Sequence, residues 1–316
     1  MGRLLITISL ILVAGALVAP AQPKGPGFTV TKISDNVYAA LGDDGGPAGS
    51  NAGFVIGSKG VAVVDTFEAV EPAKALLVEI RKVTDKPIRY VINTHYHLDH
   101  VGGNAVFADA GAAIIAHRNV AGWERTENLK FFGADPKPDK RALVEALVLP
   151  DITYSEAIDL DLGDKQLRVR YVLGHTGGDS VVFVSDNGHD VVFGGDIVWH
   201  KHLPNLIDAS TEPWIATLDA VIAKHPAALF VSGHGGVATA ADVKDFRNYL
   251  DALRKSVARA QAAGKTGDDL VAAITSELVP TYGTWGFYKY FIKPDINFTA
   301  AELKGTKRIP QPAKEQ

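Results

Sequence analysis

The 316-residue sequence contains no cysteine. This absence excludes disulfide bonds, a thiolate nucleophile, iron–sulfur clusters and zinc sites built only from cysteine. The sequence also has no basic patch or arginine-rich run, and its formal net charge is −4, so nucleic acid is not expected as a partner. With 47% hydrophobic and 22% charged residues, the composition is that of an ordinary globular protein with a sizeable core.

The N-terminal segment differs in character from the rest of the chain. A single positive residue, Arg3, precedes an apolar run over residues 4–18, and Ala-Pro-Ala at residues 19–21 fits a cleavage site. This pattern predicts a secretory signal peptide over residues 1–21 and therefore a secreted or periplasmic protein without membrane contact after cleavage. The alternative is a retained membrane anchor, although the run is shorter than the roughly 20 residues that span a bilayer.

Short β-rich runs alternate with helical patterns in both halves of the remaining sequence. Strand-like segments such as FTVTKI, GVAVVDT and PIRYVINT are separated by turn residues, and EPAKALLVEIRKV has the pattern of a helix. The alternation predicts a single α/β domain over residues 28–303, which includes C-terminal helices that start near Thr239. The two-proline segment GADPKPDKR is expected to form a surface loop, and residues 304–316 are expected to form a frayed polar tail.

The stretch THYHLDHVGGN holds an unusual cluster of three histidines and an aspartate, in a chain with only 10 histidines. If a strand ends just before the cluster, His95 and His97 share one face, and Asp99 and His100 lie in the following turn. Neutral imidazoles and carboxylates are typical zinc ligands. Histidines packed together without such a role would each need a hydrogen-bond partner in the core, so the cluster predicts a metal site.

Three further ligand-type residues follow predicted strands, and glycines flank each of them. They are His175 in VLGHTGGD, Asp196 in VVFGGD and His234 in FVSGHGG. Glycine permits close backbone approach, and residues at strand ends gather on one rim of a sheet. One such histidine alone would more often be structural. Together with the first cluster, the three residues complete a set of seven potential ligands.

The order and spacing of this set resemble the metallo-β-lactamase superfamily from about Val37 to His234. The resemblance implies a four-layer αββα sandwich with two zinc ions at one edge, although iron also suits histidine and carboxylate ligands. The implied ligands of the first metal are His95, His97 and His175. The implied ligands of the second metal are Asp99, His100 and His234. Asp196 would bridge the two metals.

The resemblance also implies a chemistry and two catalytic carboxylates. A divalent metal lowers the pKa of bound water from 15.7 towards about 7, which generates a nucleophile for a carbonyl group. Asp196 would hold both metals, and Asp99 would orient the hydroxide and relay its proton.

Several residues near these motifs are candidates for supporting roles. Asp65, Thr94 and Asp179 are expected to orient ligand histidines, because such histidines usually donate their other N–H to a carboxylate or carbonyl. The alternative is that Asp65 and Asp179 only cap turns. His200 and His202 in WHKHLPN are expected either in the substrate pocket or at the surface. The aromatic segment YGTWGFYKYF is expected in the core, or as a pocket wall or dimer contact.

The leading hypothesis is an exported binuclear zinc hydrolase that acts on a small-molecule β-lactam, lactone, thioester or ester. Most true β-lactamases of the family have cysteine or serine where this chain has Asp196, whereas glyoxalase II-like thioesterases and lactonases have aspartate, which disfavours a β-lactam. One alternative is an enzyme similar to mononuclear iron persulfide dioxygenases. Another is a non-catalytic periplasmic metal-binding accessory protein.

Overall fold

The computed structural model describes residues 25–186 and 189–311. The expected signal peptide at residues 1–21 lies outside the described residues. Within the described ranges, none of the helices combines the length and the apolar character that a membrane crossing requires.

The first sheet has seven strands in chain order, antiparallel from β1 to β4 and parallel from β4 to β7. The strands are β1 (Phe28–Ser34), β2 (Val37–Gly42), β3 (Ala52–Gly57), β4 (Gly60–Val64), β5 (Ile88–Ile92), β6 (Ala113–His117) and β7 (Ile152–Tyr154). The intervening helices are α1 (Val70–Val83), α2 (Leu98–Val101), α3 (Asn104–Asp109), α4 (Arg118–Trp123), a 3-10 helix (Asn128–Phe132) and α5 (Pro138–Glu145).

The second sheet has six strands in the order β13-β12-β11-β10-β9-β8, in which only the β11–β12 pair is parallel. The strands are β8 (Ala157–Asp161), β9 (Gln166–Val172), β10 (Asp179–Asp186), β11 (His189–His200), β12 (Leu229–Gly235) and β13 (Val237–Thr239). Its helices are α6 (Thr211–Lys224), α7 (Ala240–Ala262), α8 (Gly267–Tyr282) and α9 (Tyr288–Leu303).

Three apolar layers hold these elements together. Between the sheets, Val55 and Ile92 of the first sheet belong to the same buried cluster as Phe193 of the second. Outside the first sheet, α1 buries residues four apart, including Leu76 and Ile80, as an amphipathic helix must. A third cluster lies between the second sheet and helices α6 to α9. The molecule is therefore the expected αββα sandwich.

Two local predictions need correction. The segment GADPKPDKR is not entirely a loop, because α5 begins at Pro138, and proline suits the first position of a helix, where its missing N–H has no partner to lose. The tail is not frayed as far as Gln311. The guanidinium of Arg308 donates to both oxygens of Glu127 at 2.8 and 2.9 Å, and Trp123 Nε1 donates to the Gln311 carbonyl at 2.8 Å.

Candidate metal centre

Asp65, which follows β4, fixes the start of the histidine cluster. Its Oδ1 accepts a hydrogen bond from the Thr94 backbone N–H at 2.8 Å, and its Oδ2 accepts one from the Thr94 hydroxyl at 2.7 Å. Oδ2 also lies 2.8 Å from Nδ1 of His100. With Nδ1–H donated to this buried carboxylate, the Nε2 atom of His100 is free to face a metal.

The first candidate metal group gathers three buried histidines around Asp196. His97 Nδ1 lies 3.0 Å from His175 Nε2. The Oδ2 atom of Asp196 lies 3.2 Å from His175 Nε2 and 3.8 Å from His95 Nε2. Two residues of this group follow β5, one follows β9, and Asp196 belongs to β11, so three separate segments of the chain converge at one edge of the sandwich.

The second candidate group contains Asp99, His100 and His234. The Oδ2 atom of Asp99 lies 3.3 Å from His234 Nε2 and 3.6 Å from His100 Nε2. The other oxygen of Asp196, Oδ1, faces this group at 3.1 Å from His100 Nε2 and 3.5 Å from His234 Nε2. Asp196 therefore lies between the two groups and presents one carboxylate oxygen to each.

Several polar atoms of these groups are buried and, although they lie close to one another, make no hydrogen bond of suitable geometry to any described residue. They include His95 Nε2, His100 Nε2 and Asp196 Oδ1. A buried polar atom without a partner costs about 1–3 kcal/mol, so such atoms rarely converge on one point by accident. A divalent cation would satisfy them, and imidazole nitrogens with carboxylate oxygens are a donor set that suits zinc and also iron. The residues present therefore fit a metal.

Burial keeps two histidines of the first group neutral. It lowers the pKa of His95 well below its usual value and lowers the pKa of His175 to about 3. Neutral imidazole is the form that binds a metal, so neither side chain must lose a proton before it acts as a ligand.

In the second group, neighbouring carboxylates and histidines shift the pKa values of one another. Burial disfavours a charged His234, but the neighbouring Asp196 and Asp99 outweigh it and raise the pKa of His234 to about 9. Conversely, burial disfavours an ionised Asp99, but His100 and His234 lower the pKa of Asp99 to about 2. The group thus holds ionised carboxylates that stabilise positive charge at this position.

Two glycines permit the close packing of the site. At Gly195, where φ is +48°, an added Cβ would lie 2.3 Å from the Thr94 hydroxyl oxygen. At Gly233 an added Cβ would lie 1.9 Å from Oδ1 of Asp196. Any larger residue at either position would displace a group that forms or supports the candidate site.

Residues 45–234, more than half of the chain, match the family model of the metallo-beta-lactamase superfamily. The chain belongs to this superfamily. It is 24% identical over 246 residues to a metallo-beta-lactamase type 2 of Bacteroides fragilis, which covers 74% of this chain and 90% of that protein. The resemblance expected from the histidine and aspartate motifs is therefore confirmed.

A second relative carries a different name. The chain is 22% identical over 256 residues to a linear primary-alkylsulfatase of a Pseudomonas species, which covers 68% of this chain and 48% of that protein. The chain thus spans about half of the length of that relative. The solved structure of a metallo-beta-lactamase from Pontibacter korlensis superposes with a TM-score of 0.56 at 23% identity, over 71% of this chain and 99% of that chain, which supports the αββα fold.

Asp208 is a residue of the site that sequence reasoning misses. This buried carboxylate lies 3.2 Å from Nε2 of His97 and accepts hydrogen bonds from Lys130 Nζ at 2.7 and 2.6 Å. The Tyr96 hydroxyl also donates to Asp208 and accepts a hydrogen bond from Lys130 at 2.7 Å. In this superfamily member, Asp208 therefore orients the imidazole of His97. No local motif marks Asp208 in NLIDAS, and only the tertiary structure brings it here.

Asp179 supports the site indirectly. Its oxygens accept hydrogen bonds from the Thr176 backbone N–H at 2.7 Å and from the Thr176 hydroxyl at 2.5 Å. Asp179 therefore closes the turn that begins at His175. Of the two aspartates proposed as supports, Asp65 contacts a histidine of the site, whereas Asp179 caps the turn that carries one.

Of the two positions that the sequence left open for His200 and His202, the pocket is not the one found, because neither side chain is on the described cavity lining. His202 is mostly buried and faces the carboxylate of Asp44 at 2.9 and 3.0 Å, which anchors the glycine-rich loop between β2 and β3. His200 Nε2 lies 3.6 Å from Oδ1 of Asp242 at the start of α7.

A cavity of about 720 Å³ opens over both metal groups. Four residues of the metal groups line this cavity, namely His97, Asp99, Asp196 and His234. Its wall is largely apolar and is formed by Leu98, Phe131, Phe132, Trp199, Phe287, Tyr290 and Phe291. The aromatic segment YGTWGFYKYF therefore divides between two of its expected roles, since Tyr282 and Tyr288 are buried in the core while its phenylalanines and Tyr290 face the cavity.

Proposed function

We propose that this protein is an exported binuclear zinc hydrolase that cleaves a carbonyl substrate such as a lactone, thioester, ester or β-lactam. The observation that carries the proposal is the position of Asp196, with one oxygen towards each candidate metal group. Two bound zinc ions would lower the pKa of water and polarise the carbonyl oxygen of the substrate. The fit of the unpartnered histidine nitrogens to such ions, and the hydrolase names of the relatives, support this proposal.

The residues of the chain have distinct parts in this reaction. Asp196 and the histidines would hold the metal ions. Asp65 orients the imidazole of His100, and Asp208 orients that of His97. Asp99 reaches the cavity, and its side chain is 27% exposed, unlike the fully buried His100 beside it. Burial disfavours the charge, but His100 and His234 outweigh it and lower the pKa of Asp99, so its carboxylate is ionised at neutral pH and would orient an attacking water by accepting a hydrogen bond from it.

The test is metal content together with hydrolysis by the purified protein. We expect about two zinc ions per chain, and we expect Asp196→Ala to lower both zinc content and hydrolysis, the latter by at least a hundredfold. Asp219→Ala, at an exposed aspartate paired with Arg247, is the matched control. One iron per chain without hydrolysis would reject the proposal in favour of a dioxygenase, and bound metal without any reaction would favour an accessory protein.

Sulfate-ester hydrolysis is a second candidate activity. It is favoured by the similarity to the Pseudomonas alkylsulfatase over 68% of this chain and by an apolar cavity that would accept an alkyl chain. A linear primary alkyl sulfate therefore belongs in the panel beside a β-lactam, a lactone, a thioester and an ester. Release of sulfate faster than hydrolysis of every carbonyl compound would replace the first candidate by the second.

Export forms part of the proposal and rests on the signal-like sequence at residues 1–21. Cell fractionation and N-terminal sequencing of the mature protein test it. A mature chain that begins after Ala21 in the periplasm or medium would support export, and a cytosolic chain that keeps its first residues would reject it.

A further inference from the structure

Most of the cavity wall consists of apolar side chains that could contact an apolar group of a ligand. Rings from the 3-10 helix, from β11, from the residue before α9 and from the first turn of α9 face the same space. Tyr290 is 75% exposed and Phe131 is 37% exposed, both at this cavity. Large apolar side chains left in solvent beside a cavity are typical of a ligand-binding surface. A volume of about 720 Å³ accommodates an alkyl chain or aromatic ring in addition to the group that reacts.

The charged residues of the described wall, outside the histidines, are carboxylates. Asp99 and Asp196 belong to the candidate metal groups, and Glu68 is the other carboxyl group on the described lining. A substrate carboxylate beside Glu68 would therefore meet a second carboxyl group and not a cationic partner. The chemistry of this part of the cavity favours a neutral or cationic group.

Two lysines lie close to rings of the aromatic wall, and one of them is paired with a carboxylate outside the cavity lining. The ammonium of Lys130 lies 5.3 Å from the centroid of the Phe131 ring, but it donates to both oxygens of Asp208. Lys140 lies 5.3 Å from the centroid of the Phe132 ring, and its charge acts on Glu68, whose pKa it lowers in part. Neither lysine forms part of the cavity lining.

We infer that the substrate is an ester, thioester or lactone whose remaining part is an alkyl or aromatic group without a carboxylate. This inference rests on the proposed function and narrows its substrate class. In the reaction, the oxygen of water bonds to the acyl carbon, the bond from that carbon to the leaving oxygen or sulfur breaks, and a proton of the water passes to the leaving atom. A β-lactam that carries a carboxylate falls outside this class.

The test compares two esters that differ in one charge. 4-Nitrophenyl hexanoate and the mono-4-nitrophenyl ester of adipic acid have the same leaving group and the same number of acyl carbons, but the second ends in a carboxylate. We expect the zinc-loaded protein to hydrolyse the hexanoate with a kcat/KM about tenfold or more above that of the adipate. Glu68→Gln should bring the kcat/KM of the adipate ester closer to that of the hexanoate. An adipate ester hydrolysed as well as the hexanoate would overturn the inference.

A second variant examines the apolar wall. Tyr290→Ser changes an exposed side chain and leaves the core intact, so it should raise KM for the hexanoate about threefold or more while hydrolysis of 4-nitrophenyl acetate, which lacks the chain, changes little. Equal effects on both esters would overturn the part assigned to this wall.

Binding separates failure of the inference from failure of the proposed function. The anilides of hexanoic acid and of adipic acid, as its monoanilide, can be titrated calorimetrically into the zinc-loaded protein. Tighter binding of the hexanoic anilide supports the inference even if neither ester is hydrolysed, which would reject only the hydrolase. Equal or tighter binding of the acidic anilide overturns the inference whether or not the esters react.

Discussion

Asp208 lies 3.2 Å from the Nε2 atom of His97, although 111 residues separate the two in the chain. Asp208 is itself held by Lys130, and burial, which would raise its pKa, is outweighed by His97 and Lys130, so that its pKa lies well below the usual value. The imidazole of His97 is therefore oriented by an ionised carboxylate. Carboxylate partners of this kind typically contribute 10- to 100-fold to metal affinity.

Asp208→Asn should consequently weaken zinc binding at the first metal group by about 10- to 100-fold with little change in fold, because the amide keeps the shape of the carboxylate but not its charge. Competition with a chromophoric chelator measures the affinity directly. Asp219→Asn at an exposed position provides the control. Zinc affinity equal to that of the parent protein would show that Asp208 acts on Lys130 and Tyr96 alone.

The C-terminal tail is linked to the same histidine by successive ion pairs. Arg308 pairs with Glu127 at 2.8 Å, Glu127 lies 3.4 Å from Lys130, and Lys130 pairs with Asp208. Truncation after residue 305 removes the first of these pairs, the hydrogen bond from Trp123 to the Gln311 carbonyl and the hydrogen bond from Lys307 to the Ala209 carbonyl. We expect the midpoint of thermal unfolding to fall by about 2–4 °C or more, and zinc affinity to fall with it.

Truncation after residue 311 is the matched control, since it keeps every one of these contacts. The two truncated proteins can be compared by calorimetric unfolding and by chelator competition. If both behave like the full chain, the ion pairs from Arg308 inward contribute nothing measurable to the site.

Glu124 should make stability depend on pH. Its carboxylate is buried with no hydrogen-bond partner among the described residues, and burial raises its pKa from 4.5 to about 8. Between these values the folded chain binds a proton that the unfolded chain has released, so this group lowers stability as pH rises through the window. Glu124→Gln removes the charge, and its stability relative to the parent should increase by about 1–3 kcal/mol between pH 5 and pH 8.

Urea unfolding at the two pH values measures this change. Glu145→Gln, at an exposed position on α5, should leave the pH dependence as it is in the parent. A constant difference between Glu124→Gln and the parent at both pH values would mean that Glu124 is already ionised or solvated in the folded chain.

Gly233→Ala should damage the metal site without unfolding the sandwich. The added Cβ would lie 1.9 Å from Asp196 Oδ1, so the carboxylate must move away from the second metal group. We expect the zinc content to fall from about two to about one per chain, because Asp196 can no longer face both groups. Gly25→Ala, where an added Cβ meets open space, is the control, and two zinc ions in both variants would contradict the prediction.

The features that the sequence predicts best are those that depend on the spacing of residues within short segments. The period of two in a strand places His95 beside His97, and the glycines beside Asp196 and His234 mark positions of close approach, so the order of the site residues could be read from short motifs. The alternation of strands and helices likewise indicated an α/β domain. The four-layer arrangement was implied by the family resemblance, and the order of the strands within each sheet was not predicted.

Contacts between distant segments could not be predicted in this way. Asp208 lies in the loop before α6 and has no neighbouring motif, and its role depends on Lys130, a residue of the distant 3-10 helix. The tail looked polar enough to fray, but it is bound because Arg308 and Gln311 find partners on α4 and the turn after it. For His200 and His202 the sequence left the pocket and the surface open, because nearness in sequence to Asp196 does not decide where a side chain lies in the fold.

Each candidate metal group draws residues from both sheets of the sandwich. His100 follows the first sheet's β5, whereas Asp196 and His234 belong to strands of the second sheet. During synthesis from the N-terminus, the second group is incomplete until residue 234 has left the ribosome. Occupation of the second group by a metal would consequently be a late step in the folding of this chain, and an ion bound there would join residues that follow the first sheet to residues of the second sheet.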